Sequence, residues 1–522
     1  MEALAPESNG VVAGARQLFN RLVDLEFTQP LAFFSLAVVY IASRVPWLDL
    51  GYGTDPDAWR VALTANYFWE TGDYLPSRLP GYPLHELVTA VFVKGGWVWT
   101  NLSTVLISLV GVYLFAQLAR KLELPNRGIL TIAFAFAPLL WINSVMTMDY
   151  MWAMTFIMGA YLALLYRSTT LAGILLGLAA GFRLTSSIML LPFWILLWRT
   201  GERREIRPLT TTTVATAFVM YVPVLMVYGF DFLNFYDQSI PVGEFARRLG
   251  KDGLGIIGGL ALLVALGLSF QRLRRLPGDL LRDAQVLTWI AVLVVFFISY
   301  TRLPHEVAYL IPVFPFGFFL LSRYVSRGLL VATLSVVVLA GFVDVTSSGG
   351  AVVGIDRETF TSARIGNGML FSDIDTLRGQ RDFAREIRQL TTNAGEIKRP
   401  AVIIVGTIYP ELVMLFEKEL SIEILEDDKE AISQLSDKGH ACDPACYMPE
   451  ANFRPDIEYV WLLELDQLQR FLEEDRTVYI TTEAAQGTLN VYGYRPVYLG
   501  VIELALSRDG PSLGSGAAST DR

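Results

Sequence analysis

Between residues 30 and 345 the sequence is a succession of apolar runs separated by short polar loops, and that pattern leaves few folds open. A helix needs roughly 20 mostly apolar residues to cross a hydrocarbon core, and its backbone amides must be satisfied within the chain. By that measure the sequence predicts about eleven spans, near 30 to 45, 97 to 117, 128 to 143, 150 to 166, 170 to 182, 185 to 199, 210 to 228, 254 to 270, 284 to 300, 306 to 322 and 328 to 345. The third, fifth and ninth are short for a lipid-facing helix and read as broken or buried spans. Composition agrees, with 53% hydrophobic residues, 18% charged residues and a mean hydropathy of +0.42. The chain therefore reads as an α-helical polytopic membrane protein. A formal net charge of −9 without any basic domain argues against nucleic acid as a partner.

Lys and Arg set the orientation. With the N-terminus inside, the inner loops carry Arg120, Lys121 and Arg127; Arg167; Arg199, Arg203, Arg204 and Arg207; Arg272, Arg274, Arg275 and Arg282; then Arg323 and Arg327. Each is basic, as the positive-inside rule requires. The outer side then receives the first loop (46–95), the stretch around Asp149, the loop 229–253, Arg302 to Glu306, and everything after about 346.

Residues 1–29 precede the first run. VVAGARQLFNRLVDLEF places Val12, Ala15, Phe19, Leu22 and Leu25 at helical spacing, which predicts a cytoplasmic interfacial amphipathic helix. A cleaved signal peptide is the competing reading, but no small-x-small site follows the apolar run at 30. From 346 to 507 the composition becomes that of a soluble extracytoplasmic α/β domain. AVIIVG (401–406), EYVWLLEL and TVYITTEA read as strands, and YPELVMLFEKEL (409–420) and DQLQRFLEE as helices. The Ser, Gly and Ala-rich tail 508–522 is expected to be disordered. Cys442 and Cys446, the two cysteines of the chain, lie together in HACDPACYMP and predict a local disulfide on the outer side. Beside His440, a metal site is the weaker alternative.

Polar residues that break the apolar pattern mark the candidate chemistry. In the first outer loop, Thr54, Asp55 and Pro56 read as a helix start with Asp55 at the N-cap and Pro56 at the first helical position. Ala58, Ala62, Ala65, Phe68 and Trp69 then form an apolar face, so this helix is expected to lie flat on the membrane. On this evidence alone, Asp55 is a cap and Asp57 a first-turn acid favoured by the helix dipole. Asp149 adds an acid at the outer end of the fourth span. Arg183, in GLAAGFRLTSSIMLLP, interrupts two apolar runs, and an ionisable group there faces a partner or a water-filled cavity. Arg302, His305 and Glu306 sit at the outer mouth of the tenth span. Carboxylates and cations thus converge on one membrane face.

The acidic motif after the first span, the acid before a later one, the GxRxTS-like segment followed by Leu-Pro, and RLPHE…YLIPVFP together resemble the GT-C glycosyltransferases over residues 30 to about 345. The branch that matches uses polyprenyl-phosphate sugars and includes protein O-mannosyltransferases and aminoarabinose transferases. DPDAWR is also similar to the Asp-Pro of oligosaccharyltransferase catalytic subunits, and it departs from the adjacent Asp-Glu of many O-mannosyltransferases. The resemblance implies a GT-C transmembrane domain (30–345), a lipid-linked sugar donor, an acceptor that is a lipid, glycan or protein, and inverting transfer at the outer face. It gives the general base to Asp55 or Asp57 and an orienting role to Asp149. Charge and predicted sidedness make Arg78, Arg183, Arg302 and His305 phosphate candidates, with Tyr82, His85 and Glu306 as further substrate-binding candidates. Individually, each cation reads equally well as a snorkelling or structural ion-pair residue. No cofactor is expected, since monophosphate-sugar members act without metal. A divalent ion on Asp55, Asp57 and Asp149 is the alternative.

Two other classes compete. A transporter or flippase would use intramembrane charge and show internal repeats, yet the acids lie in outer loops and no repeat is evident. A scaffold or sensor would explain the outer domain but not the polar first loop.

Overall fold

The computed structural model describes residues 23–233, 242–301, 306–346, 351–352, 364–392, 400–404, 409–416, 450–454, 457–460, 471, 474–481, 501–507 and 510–512. Helix occurs at every one of the apolar runs. In chain order the main helices are α1 (Pro30–Arg44), α2 (Pro56–Thr71), α3 (Pro83–Phe92), α4 (Trp97–Lys121), α5 (Arg127–Phe136), α6 (Pro138–Asn143), α7 (Tyr150–Leu165) and α8 (Thr169–Phe182). They continue as α9 (Leu190–Arg199), α10 (Ile206–Tyr228), α11 (Val242–Leu254), α12 (Ile256–Leu268), α13 (Ala284–Tyr300), α14 (Val313–Tyr324) and α15 (Arg327–Ala340). Among the described residues, Pro30–Trp47, Trp97–Lys121 and Arg203–Tyr228 are long and apolar enough to cross a membrane singly. Two bent pairs, Arg248–Leu254 with Ile256–Leu268 and Phe270–Arg282 with Ala284–Tyr300, bring that number to five. The remaining apolar helices have 10–17 residues.

The third run is broken, and its sequence gives the cause. Pro138 forces the preceding residue away from helical geometry, and Ala137 is extended (ψ 132°). The break exposes carbonyls at the end of α5, and a side chain from α1 meets one of them. Buried Arg44 donates through Nη2 to Ala135 O at 2.5 Å and stacks over the rings of Tyr40 (3.6 Å) and Trp141 (4.4 Å). An arginine ending the first span thus caps a helix about ninety residues later, satisfying a carbonyl that lipid could not.

Helices α8 and α10 pack through a small-residue stripe. A Cβ on Gly177 would lie 2.5 Å from Thr216 Cβ and 2.8 Å from Thr213 O, and one on Gly173 2.8 Å from Leu209 O. Only glycine permits this approach of the two backbones, which is how helices associate where lipid is as apolar as leucine. The contact fixes where α8 ends, and Arg183 is the residue at that end.

The helix expected to lie flat on the membrane is largely enclosed by protein, with Trp69 near its end exposed. Residues Ala58 to Tyr67 of α2 are all buried, because α2 is enclosed by α3 and, beyond the spans, by α17 (Tyr409–Phe416). Two of its polar residues are satisfied internally: Arg60 Nε donates to Ser77 O at 2.8 Å, and Asn66 Nδ2 donates to Glu70 at 2.5 Å.

After α15 the chain forms strands. β1 (Val343–Thr346), β2 (Ala351–Val352) and β3 (Arg364–Asn367) make an antiparallel sheet of order β1-β3-β2, followed by α16 (Met369–Thr392). A second sheet has the order β5-β6-β4-β7-β8-β9. Its centre is β4 (Ala401–Ile404), parallel to β6 (Ile457–Val460) and β7 (Thr477–Thr481), and all four β4 residues are buried. A continuous apolar run is what a strand covered on both faces requires. At the edge, β5 is Glu450–Arg454, β8 is Val501–Ser507 and β9 is Gly510–Ser512. Gly510–Ser512 fall in the segment expected to be disordered, yet they pair antiparallel with β8, whose alternating VIELALS offers a ladder edge. Cys442, Cys446 and His440, residues 1–22 of the amphipathic segment, most of DQLQRFLEE and residues 513–522 lie outside the described residues.

Candidate active site

Asp55 is the N-cap of α2, its Oδ1 accepting from the Asp57 amide at 2.9 Å, and Pro56 occupies the first turn. The cap leaves Asp57 on the opening turn, aimed at the next segment of the same loop. Arg78 meets it there, Nε to Asp57 Oδ2 at 2.7 Å. Arg78 is held in place through its neighbour Ser77. The buried Glu86 carboxylate accepts from the Ser77 amide (2.8 Å), the Ser77 hydroxyl (2.5 Å) and the Tyr74 hydroxyl, while Arg60 grips the Ser77 carbonyl. Burial pushes the Glu86 pKa up, and the Ser77 and Tyr74 hydrogen bonds oppose that rise.

Asp149 stands at the N-cap position of α7 but makes no capping bond. Its fully buried carboxylate instead faces two guanidiniums, Arg183 Nη1 at 2.5 Å and Arg78 Nη2 at 3.5 Å. The result is a continuous chain of charge, Asp57, Arg78, Asp149, Arg183. Aromatic faces hold both cations. Arg78 lies 4.0 Å from the Tyr82 ring, and Arg183 lies 4.1 Å from Tyr150, 4.2 Å from Tyr309 and 5.5 Å from Tyr82. Burial works against the charge on Arg78, but Asp57 and Asp149 override it and hold its pKa above the usual arginine value.

Two buried polar atoms here have no hydrogen-bond partner, Arg183 Nε and His85 Nδ1. Native interiors rarely leave such atoms unpaired, so they mark places for a ligand or water. His85 is 1% exposed, and burial, helped by Arg78 and Arg183 and opposed by Asp149, lowers its pKa to about 4. Its imidazole is neutral at pH 7.

On the other side of Asp55 lies a cavity of about 560 Å³. Its lining includes Thr54, Asp55, Tyr150 and Glu306 from the bundle, and Ser372, Asp373 and Thr376 from α16. Glu306 Oε1 caps the turn Val307–Leu310 through the Ala308 amide at 3.0 Å. Burial raises Asp55 well above the usual carboxylate range, reinforced by the charges of Asp57 and Glu306, and burial likewise raises Glu306.

The structure therefore gathers Asp55, Asp57, Arg78, Tyr82, His85, Asp149, Arg183 and Glu306 around one place. Arg302 and His305 lie outside the described residues. Glu86, Tyr309 and Asp373 were missed by the sequence reading. Glu86 directly follows His85, and Tyr309 lies in the segment HEVAYLIP, so position offered a signal for both. Asp373 offered none, sitting in an ordinary polar helix. Among the described residues, no group of three or more His, Cys, Asp or Glu converges to hold a metal. Asp57 and Asp149 both turn to Arg78.

No family model matches this chain, and no curated protein matches it. Among solved structures, it is similar to the crystal structure of ArnT from Cupriavidus metallidurans bound to undecaprenyl phosphate. That similarity has a TM-score of 0.46 and 15% identity over 90% of this chain and 95% of that one. The apo state of the same protein gives a TM-score of 0.40 and 16% identity over 77% and 72%. The side chains of the site carry the functional reading that follows.

Proposed function

We propose that this chain is a membrane glycosyltransferase of GT-C type, moving a sugar from a polyprenyl-phosphate donor to an acceptor hydroxyl at the outer membrane face. The carrying observation is the pair of guanidiniums, buried Arg183 and mostly buried Arg78, gathered on Asp149 next to the carboxylates of Asp55 and Asp57. Transfer of a sugar from a phosphate needs cations where leaving-group charge grows and a base where the acceptor loses its proton. The acceptor oxygen attacks the anomeric carbon, the bond from that carbon to the phosphate oxygen breaks, and the electron pair stays on the phosphate. The acceptor proton goes to the base. The products are the glycosylated acceptor and the polyprenyl phosphate.

Asp55 is the better base. It lines the cavity and burial raises its pKa, which strengthens it as a base, whereas Asp57 is already engaged by Arg78 at 2.7 Å. Arg78 and Arg183 hold the phosphate, with Arg183 Nε and His85 Nδ1 as the unspent groups that meet it. Asp149 is a positioning residue, orienting both arginines.

The reading includes about eleven spans with an inner N-terminus and an outer C-terminal α/β domain. In its favour, loops assigned to the inner side touch one another. Arg127 pairs with Glu26 (3.0 Å), Arg327 with Asp24 (2.8 Å) and Arg167 with Glu202 (3.3 Å).

The test is transfer by detergent-solubilised protein from a panel of polyprenyl-phosphate sugars. Asp55→Asn keeps shape and removes basicity, so turnover falls about 100-fold or more, and Asp57→Asn falls less. Near-normal transfer by both variants and their double overturns the base assignment. If the unmodified protein uses no donor and proteoliposomes show uptake, the transporter reading takes its place.

A further inference from the structure

We infer that the 560 Å³ cavity between the start of α2 and α16 is the acceptor subsite, and that it takes a neutral polyhydroxyl glycan while rejecting phosphorylated or carboxylated ones. This rests on the transfer reaction proposed above.

Position comes first. An in-line displacement needs the incoming oxygen and the leaving phosphate on opposite sides of the anomeric carbon. Arg78 and Arg183 do not line the cavity, whereas Asp55 and Tyr150 do, and the Tyr150 ring has Arg183 against it at 4.1 Å. Asp55 and Tyr150 therefore stand between the cationic pocket and the cavity. An acceptor entering the cavity reaches the base from the side away from the phosphate. The volume falls within the ~300–1,000 Å³ of small-molecule sites.

Charge comes second. The lining carries Asp55, Asp252, Glu306, Asp344 and Asp373 against one cation, Lys251. Asp344 is spent on the Ile256 and Ile257 amides at 2.7 and 2.9 Å. Even where burial keeps a proton on some of the others, acids outnumber cations in this lining, and an anion entering it meets Lys251 as the one cationic side chain of that lining.

Hydrogen-bonding capacity comes third. Asp373 Oδ2 is sealed from solvent and has no partner, and Ser372 and Thr376 flank it on the cavity side of α16. Burial pushes Asp373 up to about 7, against the hydrogen bond from Thr54, so this carboxyl both donates and accepts near neutral pH, as sugar hydroxyls require. The helix that presents it is fastened to the catalytic loop, with Gln380 Nε2 donating to Thr54 O (3.2 Å) and Arg381 Nη1 to Asp49 O (2.9 Å). The acceptor's recognition edge is thereby built from a segment beyond the last span and held in register with the base.

Two measurements on protein in lipid nanodiscs, free of sugar detergents, test this without needing turnover. In a Cys442→Ser/Cys446→Ser background, Thr376→Cys is labelled with cationic trimethylammonium-ethyl or anionic sulfonatoethyl methanethiosulfonate. The cationic reagent should react about tenfold faster after normalisation to free cysteine, and Asp373→Asn or Glu306→Gln should shrink that ratio. A ratio equal to that of free cysteine, or no reaction with either reagent, overturns an open acidic subsite. The second measurement presents the protein to immobilised neutral and acidic glycans. Binding confined to neutral glycans supports the proposal, and binding to acidic ones, or to none, overturns it. If both hold while no donor is turned over, the transfer reading fails and the glycan site stands.

Discussion

Asp149→Asn separates a positioning acid from a catalytic one. The wild-type carboxylate is fully buried between Arg183 at 2.5 Å and Arg78 at 3.5 Å. Asparagine keeps the shape and removes the charge, and the two arginines then fare differently. Arg78 retains Asp57 at 2.7 Å, whereas Arg183 keeps its aromatic neighbours and the charge of Glu306 but no carboxylate paired to it directly. Removing one partner of a buried pair costs about 3–5 kcal/mol, mostly from the charge left unpaired. Arg183→Gln strands Asp149 only in part, since Arg78 remains beside it, so its cost should be smaller. The double variant removes both ends and should recover much of the Asp149→Asn loss, a coupling of ~0.5–3 kcal/mol. Denaturant titration in detergent micelles, comparing wild type, both singles and the double, measures each corner of the cycle. Losses that simply add would refute the claim that Asp149 exists to hold Arg183. Donor KM should rise in all three variants, because each disturbs the phosphate pocket. A variant with normal stability, normal KM and a large fall in kcat would instead make Asp149 a group that acts on the reacting atoms.

Three other outcomes follow. His85 has a folded pKa of about 4 against 6.5 for the free side chain, so the unfolded chain binds the extra proton between those values. The contribution of His85 is present above pH 6.5 and is lost as pH falls to 4, on the order of 3 kcal/mol in all. His85→Gln should flatten that part of the stability curve, and an unchanged slope would contradict a buried neutral imidazole. Gly177→Ala places a methyl 2.5 Å from Thr216 Cβ and 2.8 Å from a backbone oxygen, so it should destabilise by ~1–3 kcal/mol in the same titration. Gly267→Ala, with open space around it, is the control. Reporters placed after residue 350 and near Ser239 should read the outer compartment and one near Arg204 the cytoplasm, with an inner signal after 350 overturning the topology.

The parts of this structure legible in the sequence are those governed by local rules. Helices follow the apolar runs because backbone amides in lipid have no other partner. Asp55 and Pro56 start α2 because an acceptor side chain and a residue lacking an amide suit that position. β4 was visible as AVIIVG because a strand covered on both faces must be apolar throughout. What the sequence could not show are choices made by distant partners. Asp149 has the look of a cap and is none, because two arginines claim its carboxylate. The apolar face of α2 suggested a membrane surface, whereas most of that helix is buried in protein and α17, more than three hundred residues away, is among its neighbours. Nothing local distinguishes Asp373 from other acids on α16, since its unpartnered oxygen is a property of the cavity.

Arg78 shows why order along the chain was enough to find the site but not to explain it. Asp57, Arg78, Asp149 and Arg183 sum to zero charge, so the cluster is stable without ligand, and a donor phosphate enters a balanced network rather than a bare cationic hole. Such a network binds an anion only through donors left over or by exchanging one carboxylate for it. Asp149 is a poor candidate for exchange, because it is buried between both guanidiniums, whereas the Asp57 side chain is 37% exposed and holds Arg78 alone. The exposed end of the charge chain is therefore the end where a phosphate competes most readily, and it adjoins the N-cap that carries the base. Binding of the donor and placement of the base are then linked through one arginine, held in turn by the grip of Glu86 on Ser77. A change at Glu86, which touches neither substrate nor base, should accordingly act on donor use first.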